Sequence, residues 1–164
     1  MIAARSSGCP GKRVATAAGC QLVASCDLAV AAMNARFTIL GINRGLFCFT
    51  PSVALIRSVV VKRAFEMLLT GEFIDADTAV EWGLRNQSVQ NEELDMAVET
   101  LTAAIISKSA AAIRYGKPMF YRQQVMRLED AYSYAANVMS CNALEEDAIE
   151  GIAAFLDKHL INNH

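Results

Sequence analysis

One stretch near the start of the chain, residues 15–31, limits the possible folds more than any other. It reads Ala-Thr-Ala-Ala-Gly-Cys-Gln-Leu-Val-Ala-Ser-Cys-Asp-Leu-Ala-Val-Ala. The pattern predicts a short buried helix over 17–25 and an apolar strand over 26–31. Small residues at a helix start let another molecule approach N–H groups that have no partner within the helix. Because these donors and the helix dipole suit an oxygen carrying negative charge, this segment is a candidate for half of an oxyanion hole.

The remaining pattern predicts short strands first and helices afterwards, and therefore the α/β class. A loop with two glycines over 41–50 precedes a helix with Pro51 in its first turn. Asp75 is the expected N-cap of a helix that Gly83 ends. The other expected elements are strands over 35–39 and 86–89, and helices over 51–57, 62–69, 75–82, 92–107, 110–123 (kinked at Pro118), 128–141 and 145–159.

Composition and charge argue against several classes of function. Apolar residues make up 54% of the chain, charged residues 20%, and the formal net charge is −2. This balance indicates a globular chain and argues against nucleic acid as a partner. Charged residues interrupt every long apolar run, so no membrane span is expected. The five cysteines lack paired spacing, and His159 and His164 both lie near the C-terminus, so neither a disulfide framework nor a His-based metal site is predicted.

Further motifs follow the opening stretch in a fixed order. They are Ala35-Arg36-Phe37, Gly45-Leu46, Leu68-Leu69-Thr70-Gly71 with Ile74 and Ala76, Trp82-Gly83-Leu84, and Glu150-Gly151 with Ala154, Phe155 and Lys158. Together with the Ala-Ala-Gly-Cys-Gln-Leu turn and the Cys-Asp strand, they resemble the enoyl-CoA hydratase/isomerase (crotonase) superfamily from residue 15 to about residue 158. Within it, Ala-Thr-Ala-Ala-Gly-Cys-Gln-Leu and Gly-Leu-Phe-Cys are most similar to a subgroup of hydratase domain-containing proteins.

The resemblance implies a domain organisation. Residues 15–90 correspond to the C-terminal part of a crotonase-like ββα spiral, and residues 91–164 to a helical C-terminal region that mediates oligomerisation. Residues 1–14 match nothing in the family. Arg5, Lys12 and Arg13 leave a fragment of a transit peptide as one interpretation of this segment. We favour an N-terminally truncated family domain, because a complete one has several strand-strand-helix turns before the Ala-Ala-Gly motif.

The resemblance also implies a reaction, but two residues of this chain that differ from the family pattern argue against that reaction. Family members stabilise a thioester enolate with two backbone N–H groups. Ala18 and Gly19 correspond to one donor, whereas the upstream loop that supplies the other has no counterpart in this sequence. Hydration also needs a pair of carboxylates, but Gln21 and Gly41 occupy the two family Glu positions. Asp27 is the nearest acid, and we interpret it mainly as a structural residue at the helix–strand junction.

Substrate contacts are expected at two places by the same resemblance. Leu46, Phe47, Thr50 and Pro51 would line an acyl pocket, or else form ordinary core. Phe155 and Lys158 correspond to positions that contact coenzyme A, often from a neighbouring subunit, although a core Phe beside a solvated Lys explains them equally well. No separate cofactor is expected, because coenzyme A enters as part of the substrate.

Two function classes therefore remain. The first is a family protein that binds acyl-CoA thioesters in fatty-acid metabolism, with ordinary hydratase activity in doubt. The second is a catalytically inactive member that acts as an acyl-CoA binder, an assembly partner or a truncated relic. The resemblance implies a homotrimer or a hexamer, with 128–141 and 145–158 as contact helices. It also implies an intracellular setting, either the mitochondrial matrix or the bacterial cytoplasm.

Overall fold

The computed structural model describes residues 2–3 and 13–161, with side chains described for 14–157. The chain forms two compact units, Met1–Leu101 and Thr102–His164. The first unit begins with strands β1 (Ile2–Ala3) and β2 (Arg13–Thr16), helix α1 (Ala17–Ala24), and strands β3 (Ala29–Ala32) and β4 (Ala35–Thr38). It continues with helices α2 (Phe49–Leu55), α3 (Val61–Thr70) and α4 (Ala76–Glu81) and strand β5 (Gln87–Val89). Short 3₁₀ turns cover Leu40–Arg44 and Asn91–Glu93. Helix α5 (Leu94–Ile106) leads into α6 (Ala110–Gln123), α7 (Leu128–Ala143) and α8 (Glu146–Ile161).

The strands of the first unit form two small parallel sheets. One has the order β1-β3-β5, and the other pairs β2 with β4. Every residue of β3 is buried, which is why its sequence is a continuous apolar run rather than an alternating one. Asn86 holds the start of β3, because its side-chain oxygen accepts from the Ala29 N–H at 2.8 Å.

Packing in the first unit centres on Phe37 and Ile39, both fully buried. Helix α1 supplies Cys20 to the same core, while α2 and α3 supply Leu55 and Met67. Thr38 is also fully buried, and its hydroxyl donates to the Gly71 carbonyl at 3.0 Å, so the polar group is satisfied. The core thus fixes α1 against β4, which determines where the helix start points.

In the second unit, polar contacts fix the start of α6 and join α6 to the turn before α8. Ser109 caps α6 by accepting from the Ala112 N–H at 3.1 Å. Arg114 pairs with Glu145 at 2.9 Å, and the Tyr115 hydroxyl donates to the same carboxylate. Many large apolar side chains remain exposed, among them Leu128, Tyr132, Met139 and Phe155.

The α/β class and the crotonase-like fold are confirmed, with local differences. Residues Arg13–Thr16 form a strand that the sequence analysis did not predict. The strand expected from residue 26 begins at Ala29, because Ser25 and Cys26 donate to carbonyls of α1 and close a turn first. Helix α2 begins at Phe49, two residues before Pro51, which still lies in its first turn. Helix α6 runs through Pro118.

Candidate functional site

The start of α1 is free of side-chain caps. Thr16 is the N-cap residue, but its side chain makes no capping hydrogen bond. Ala17 has a φ of 26°, the positive value among the described non-glycine residues. Such a conformation is strained for a residue with a Cβ. Ala18 is exposed, and its N–H is one of the first-turn groups that no intrahelical carbonyl reaches. An oxygen from outside the helix therefore has access to a backbone donor here.

Tight packing behind this helix start keeps it in place. Cys20 is fully buried, and its thiol donates to the Ala15 carbonyl at 3.3 Å. Burial raises the pKa of the Cys20 thiol to about 12, only partly offset by a hydrogen bond from the Thr38 backbone. A Cβ added to Gly19 would lie 3.4 Å from the Ala15 Cβ. This distance is close to ordinary van der Waals contact, so close helix–strand packing, the alternative to a role in binding, does not by itself require a glycine at position 19.

No acid stands at Gln21 or Gly41, the positions that the resemblance aligns with the family's two Glu residues. Gln21 is half-buried on α1, and an amide does not take up a proton near neutral pH. The chain turns tightly at Gly41, whose carbonyl accepts from the Leu46 N–H at 3.0 Å. A Cβ at Gly41 would lie 2.3 Å from the Cys48 sulfur and 2.5 Å from the Leu46 carbonyl oxygen. The turn therefore excludes any side chain at Gly41, in addition to the missing carboxylate.

The four residues expected to line an acyl pocket separate into different surroundings. Phe47 is half-buried and meets the Phe49 ring edge-on at 5.2 Å. Leu46 is 62% exposed, Thr50 is exposed, and Pro51 is buried in the core side of α2. Of these four residues, Phe47 lines a cavity between α2 and α3.

That cavity is a groove between α2 and α3 of about 320 Å³, which we call the α2–α3 groove. Its apolar walls consist of Phe47, Val53, Ile56, Val61, Phe65 and Leu68, with Ala64 and the polar residues Ser52 and Arg57 also lining it. This groove was not predicted from the sequence. A signal for it was nevertheless present in the sequence. Both α2 and α3 have apolar residues on their outer faces, in addition to those that the core buries.

Phe155 and Lys158 belong to α8, in the second unit. Phe155 is 61% exposed, whereas the Lys158 side chain lies outside the described residues. The two positions are three residues apart on a helix and so share a face. Ala18, Gly19, Gln21 and Gly41 all belong to the first unit.

A buried cation also escaped the sequence analysis. Arg85 is 4% exposed, and its guanidinium donates to the Ala76 carbonyl and lies over the Phe37 ring at 5.2 Å. Burial lowers its pKa to about 10, opposed by the nearby Asp77 and Asp75 carboxylates. Its Nε and Nη1 have no hydrogen-bond partner among the described residues. Because its contacts are the Ala76 carbonyl on α4 and the Phe37 ring of the core, we assign Arg85 to the packing of α4.

Two absences concern the part of the chain that the structure describes. There, no three His, Cys, Asp or Glu side chains come together in a way that could hold a metal ion. In the same residues, no helix on its own has the length and apolar composition needed to cross a membrane; one bent pair of consecutive helices meets those criteria jointly.

The chain belongs to the enoyl-CoA hydratase/isomerase family, whose sequence profile matches residues 12–162. It is 46% identical to the Xenopus laevis protein named enoyl-CoA hydratase domain-containing protein 3, mitochondrial, over 88% of this chain and 49% of that protein. The predicted likeness to a hydratase domain-containing subgroup is thereby confirmed. It is also 34% identical to the crotonyl-CoA hydratase of Syntrophomonas wolfei, over 88% of this chain and 56% of that one.

Solved structures agree with this family assignment. An enoyl-CoA hydratase from Mycobacterium smegmatis matches with a TM-score of 0.86 and 52% identity, over 90% of this chain and 57% of that chain. Human enoyl-CoA hydratase domain-containing protein 3 matches with a TM-score of 0.83 and 46% identity, over 88% and 57% of the two chains. The chain spans about half the length of the curated relatives it matches.

Proposed function

We propose that this chain binds an acyl-CoA thioester, with its carbonyl oxygen on the backbone N–H of Ala18, and does not catalyse ordinary hydration. The observation that carries the proposal is the exposed, uncapped start of α1. A free N–H at a helix start stabilises negative charge on an oxygen. The strained Ala17 immediately before it is the kind of outlier that accompanies binding sites.

The closed turn at Gly41 supports the non-catalytic part of the proposal. A hydratase needs one group to activate water and another to deliver a proton. Gln21 supplies neither, and a Cβ at Gly41 would collide with Cys48 and with the backbone of Leu46. The inactive acyl-CoA binder is therefore the function that the site chemistry favours within this family.

Calorimetric titration with crotonyl-CoA, and with free coenzyme A as a reference, tests the proposal. Ala18→Pro removes the N–H at a first-turn position where proline is tolerated. We expect it to weaken crotonyl-CoA binding at least about tenfold, the scale of losing one charge-assisted hydrogen bond. Ala18→Ser retains the N–H and is the matched control, with circular dichroism verifying that both variants fold. Equal affinity of the two variants would refute the role of Ala18.

An activity assay tests the non-catalytic part separately. We expect wild type and Gln21→Glu alike to leave the absorbance of the conjugated crotonyl thioester unchanged over hours. The variant would have one carboxylate where hydration needs two, and the turn at Gly41 has no room for the second. Measurable hydration by Gln21→Glu would show that one carboxylate suffices and would overturn this part.

The substrate-binding residues and the compartment complete the proposal. Leu46, Phe47, Thr50 and Pro51 remain proposed acyl contacts, and Phe155 with Lys158 remain proposed coenzyme A contacts. Several relatives carry names that place them in mitochondria, which supports the mitochondrial matrix over the bacterial cytoplasm. Cell fractionation of the tagged full chain in a eukaryotic host would test this, and signal confined to the cytosolic fraction would contradict it.

A further inference from the structure

The shape of the α2–α3 groove fits one extended chain. Its walls are large apolar side chains that stay half exposed, such as Val53, Ile56 and Phe65 at 55%, 48% and 49%. Its floor contains the small, buried Ala64. Large side chains on both sides of a small residue leave a concave apolar space between them. Ligand pockets have this shape, whereas flat surfaces do not.

The charges around the groove favour an anion. Arg57 lines the groove, and its Nη1 donates only to the Val53 carbonyl, at 2.6 Å. The acid on α3, Glu66, is already paired with Arg63 at 2.8 Å. Among the described residues, no acid pairs with Arg57 or with the exposed Lys62. The rim of the groove therefore has uncompensated positive charge in a chain whose net charge is −2.

We propose that the α2–α3 groove binds a medium-chain carboxylate, its straight apolar chain between the two helices and its anionic end beside Arg57. Water occupies about 30 Å³ per molecule in the liquid, and a methylene takes a similar volume. A groove of about 320 Å³ thus accommodates a chain of about ten carbons. Ala18 does not line the groove, whereas Phe47, one of the proposed acyl contacts, does. The variants below therefore test whether the carboxylate and the thioester bind at separate places.

A chain-length series on the wild-type protein is the primary test. Hexanoate, octanoate, decanoate and tetradecanoate are titrated below their micellar concentrations, by calorimetry or by displacement of a fluorescent apolar dye. We expect affinity to rise about fourfold per added methylene up to about ten carbons, as transfer from water predicts, and then to level off. No binding of decanoate, or affinity that keeps rising with length, overturns the proposal.

Two variants locate the site and its charge. Phe65→Asp places a like charge in the groove wall, and we expect at least tenfold weaker decanoate binding. Leu69→Asp is the matched control, because Leu69 is 57% exposed on the same helix but lies outside the groove. Arg57→Gln is expected to weaken decanoate binding several-fold and to leave the binding of 1-decanol unchanged. Equal effects of Phe65→Asp and Leu69→Asp, or of Arg57→Gln on both ligands, contradict the proposed placement.

The design separates this site from the thioester site and from self-association. Ala18→Pro should weaken crotonyl-CoA binding at least about tenfold and leave decanoate binding intact, whereas Phe65→Asp should weaken decanoate binding and leave crotonyl-CoA binding intact. Light scattering over a range of concentrations shows whether a second copy covers the groove instead. The carboxylate site would be refuted if the wild type binds no decanoate and the Phe65→Asp variant has a lower molar mass than the wild type. The groove would then be assigned to a protein interface.

Discussion

Gly41 shows how much a single residue without a side chain decides. The sequence was enough to predict that a family acid is missing at this position. It could not show that the turn to Leu46 places a sulfur and a carbonyl oxygen where the Cβ would be. That closure depends on Cys48 returning toward Gly41, a contact between residues whose spacing carries no recognisable pattern.

The turn at Gly41 gives a prediction for stability. Gly41→Ala forces Cys48 and the backbone of Leu46 apart, and we expect it to lower the free energy of unfolding by about 1–3 kcal/mol, as overpacking does. Gly19→Ala is the control in the same unit, since its new Cβ would lie 3.4 Å from the Ala15 Cβ. We expect that control to change stability by less than about 1 kcal/mol. Urea unfolding followed by circular dichroism compares them, and a larger loss for Gly19→Ala would contradict the closed turn.

At the scale of elements, local sequence signals were enough to predict most helices. The strand that they did not predict, β2, forms by pairing with another strand. Helix α6 has the predicted bounds, and α4 has its predicted Asp75 cap. Strand β2 was missed because a run of four residues is too short to show an alternating pattern, although Val14 and Thr16 are β-branched. It exists through its register with β4, where Val14 pairs with Arg36 and Ala15 with Phe37. Pairing with a distant strand leaves no trace in a local pattern.

The Asp75 cap predicts a pH dependence. The Asp75 carboxylate accepts from the Thr78 N–H at 2.9 Å, and this hydrogen bond holds the pKa of Asp75 below its usual value. A lowered folded-state pKa means that the stabilisation is complete above the unfolded pKa and is lost as pH falls through the folded pKa. Acid titration of stability should therefore show a decline in the most acidic range that depends on this carboxylate.

Two substitutions separate the cap from its charge. Asp75→Ala should lower the free energy of unfolding at neutral pH by at most roughly 1 kcal/mol, because the cap is exposed to solvent. Asp75→Asn retains a capping oxygen without a titrating group. We expect it to keep most of the stability at neutral pH and to lose the Asp75 part of the acid dependence. Thermal unfolding at neutral and acidic pH measures both, and an unchanged acid slope in Asp75→Asn would refute the assignment.

At the scale of the whole molecule, the second unit leaves apolar surface uncovered. Leu128, Tyr132 and Met139 on α7 are 74%, 72% and 68% exposed. Large exposed apolar surfaces usually mark interaction sites. The sequence indicated an oligomerisation region here only through the family resemblance. The contact helices remain a proposal, since burial by a partner is a property of the assembly.

The assembly proposal predicts a mass. Light scattering of the purified chain should give three or six copies. Met139→Glu should shift the distribution toward the single chain, because it places a charge in the proposed contact. Asn137→Glu adds the same charge on the same helix at an exposed polar position and should leave the mass unchanged. A single-chain mass for the wild type, or an equal shift for both variants, would remove α7 from the contact.

The buried Cys20 has a consequence for measurement. Because burial raises the pKa of its thiol to about 12, the residue stays protonated and sheltered at physiological pH, and the thiolate is the form that reacts with electrophiles. Cys141 is exposed, and Cys26 and Cys48 are half-buried. An alkylating reagent should therefore modify Cys20 only when α1 separates from β4. The rate of its labelling, resolved by mass spectrometry, would report how often the helix that carries Ala18 opens in the native protein.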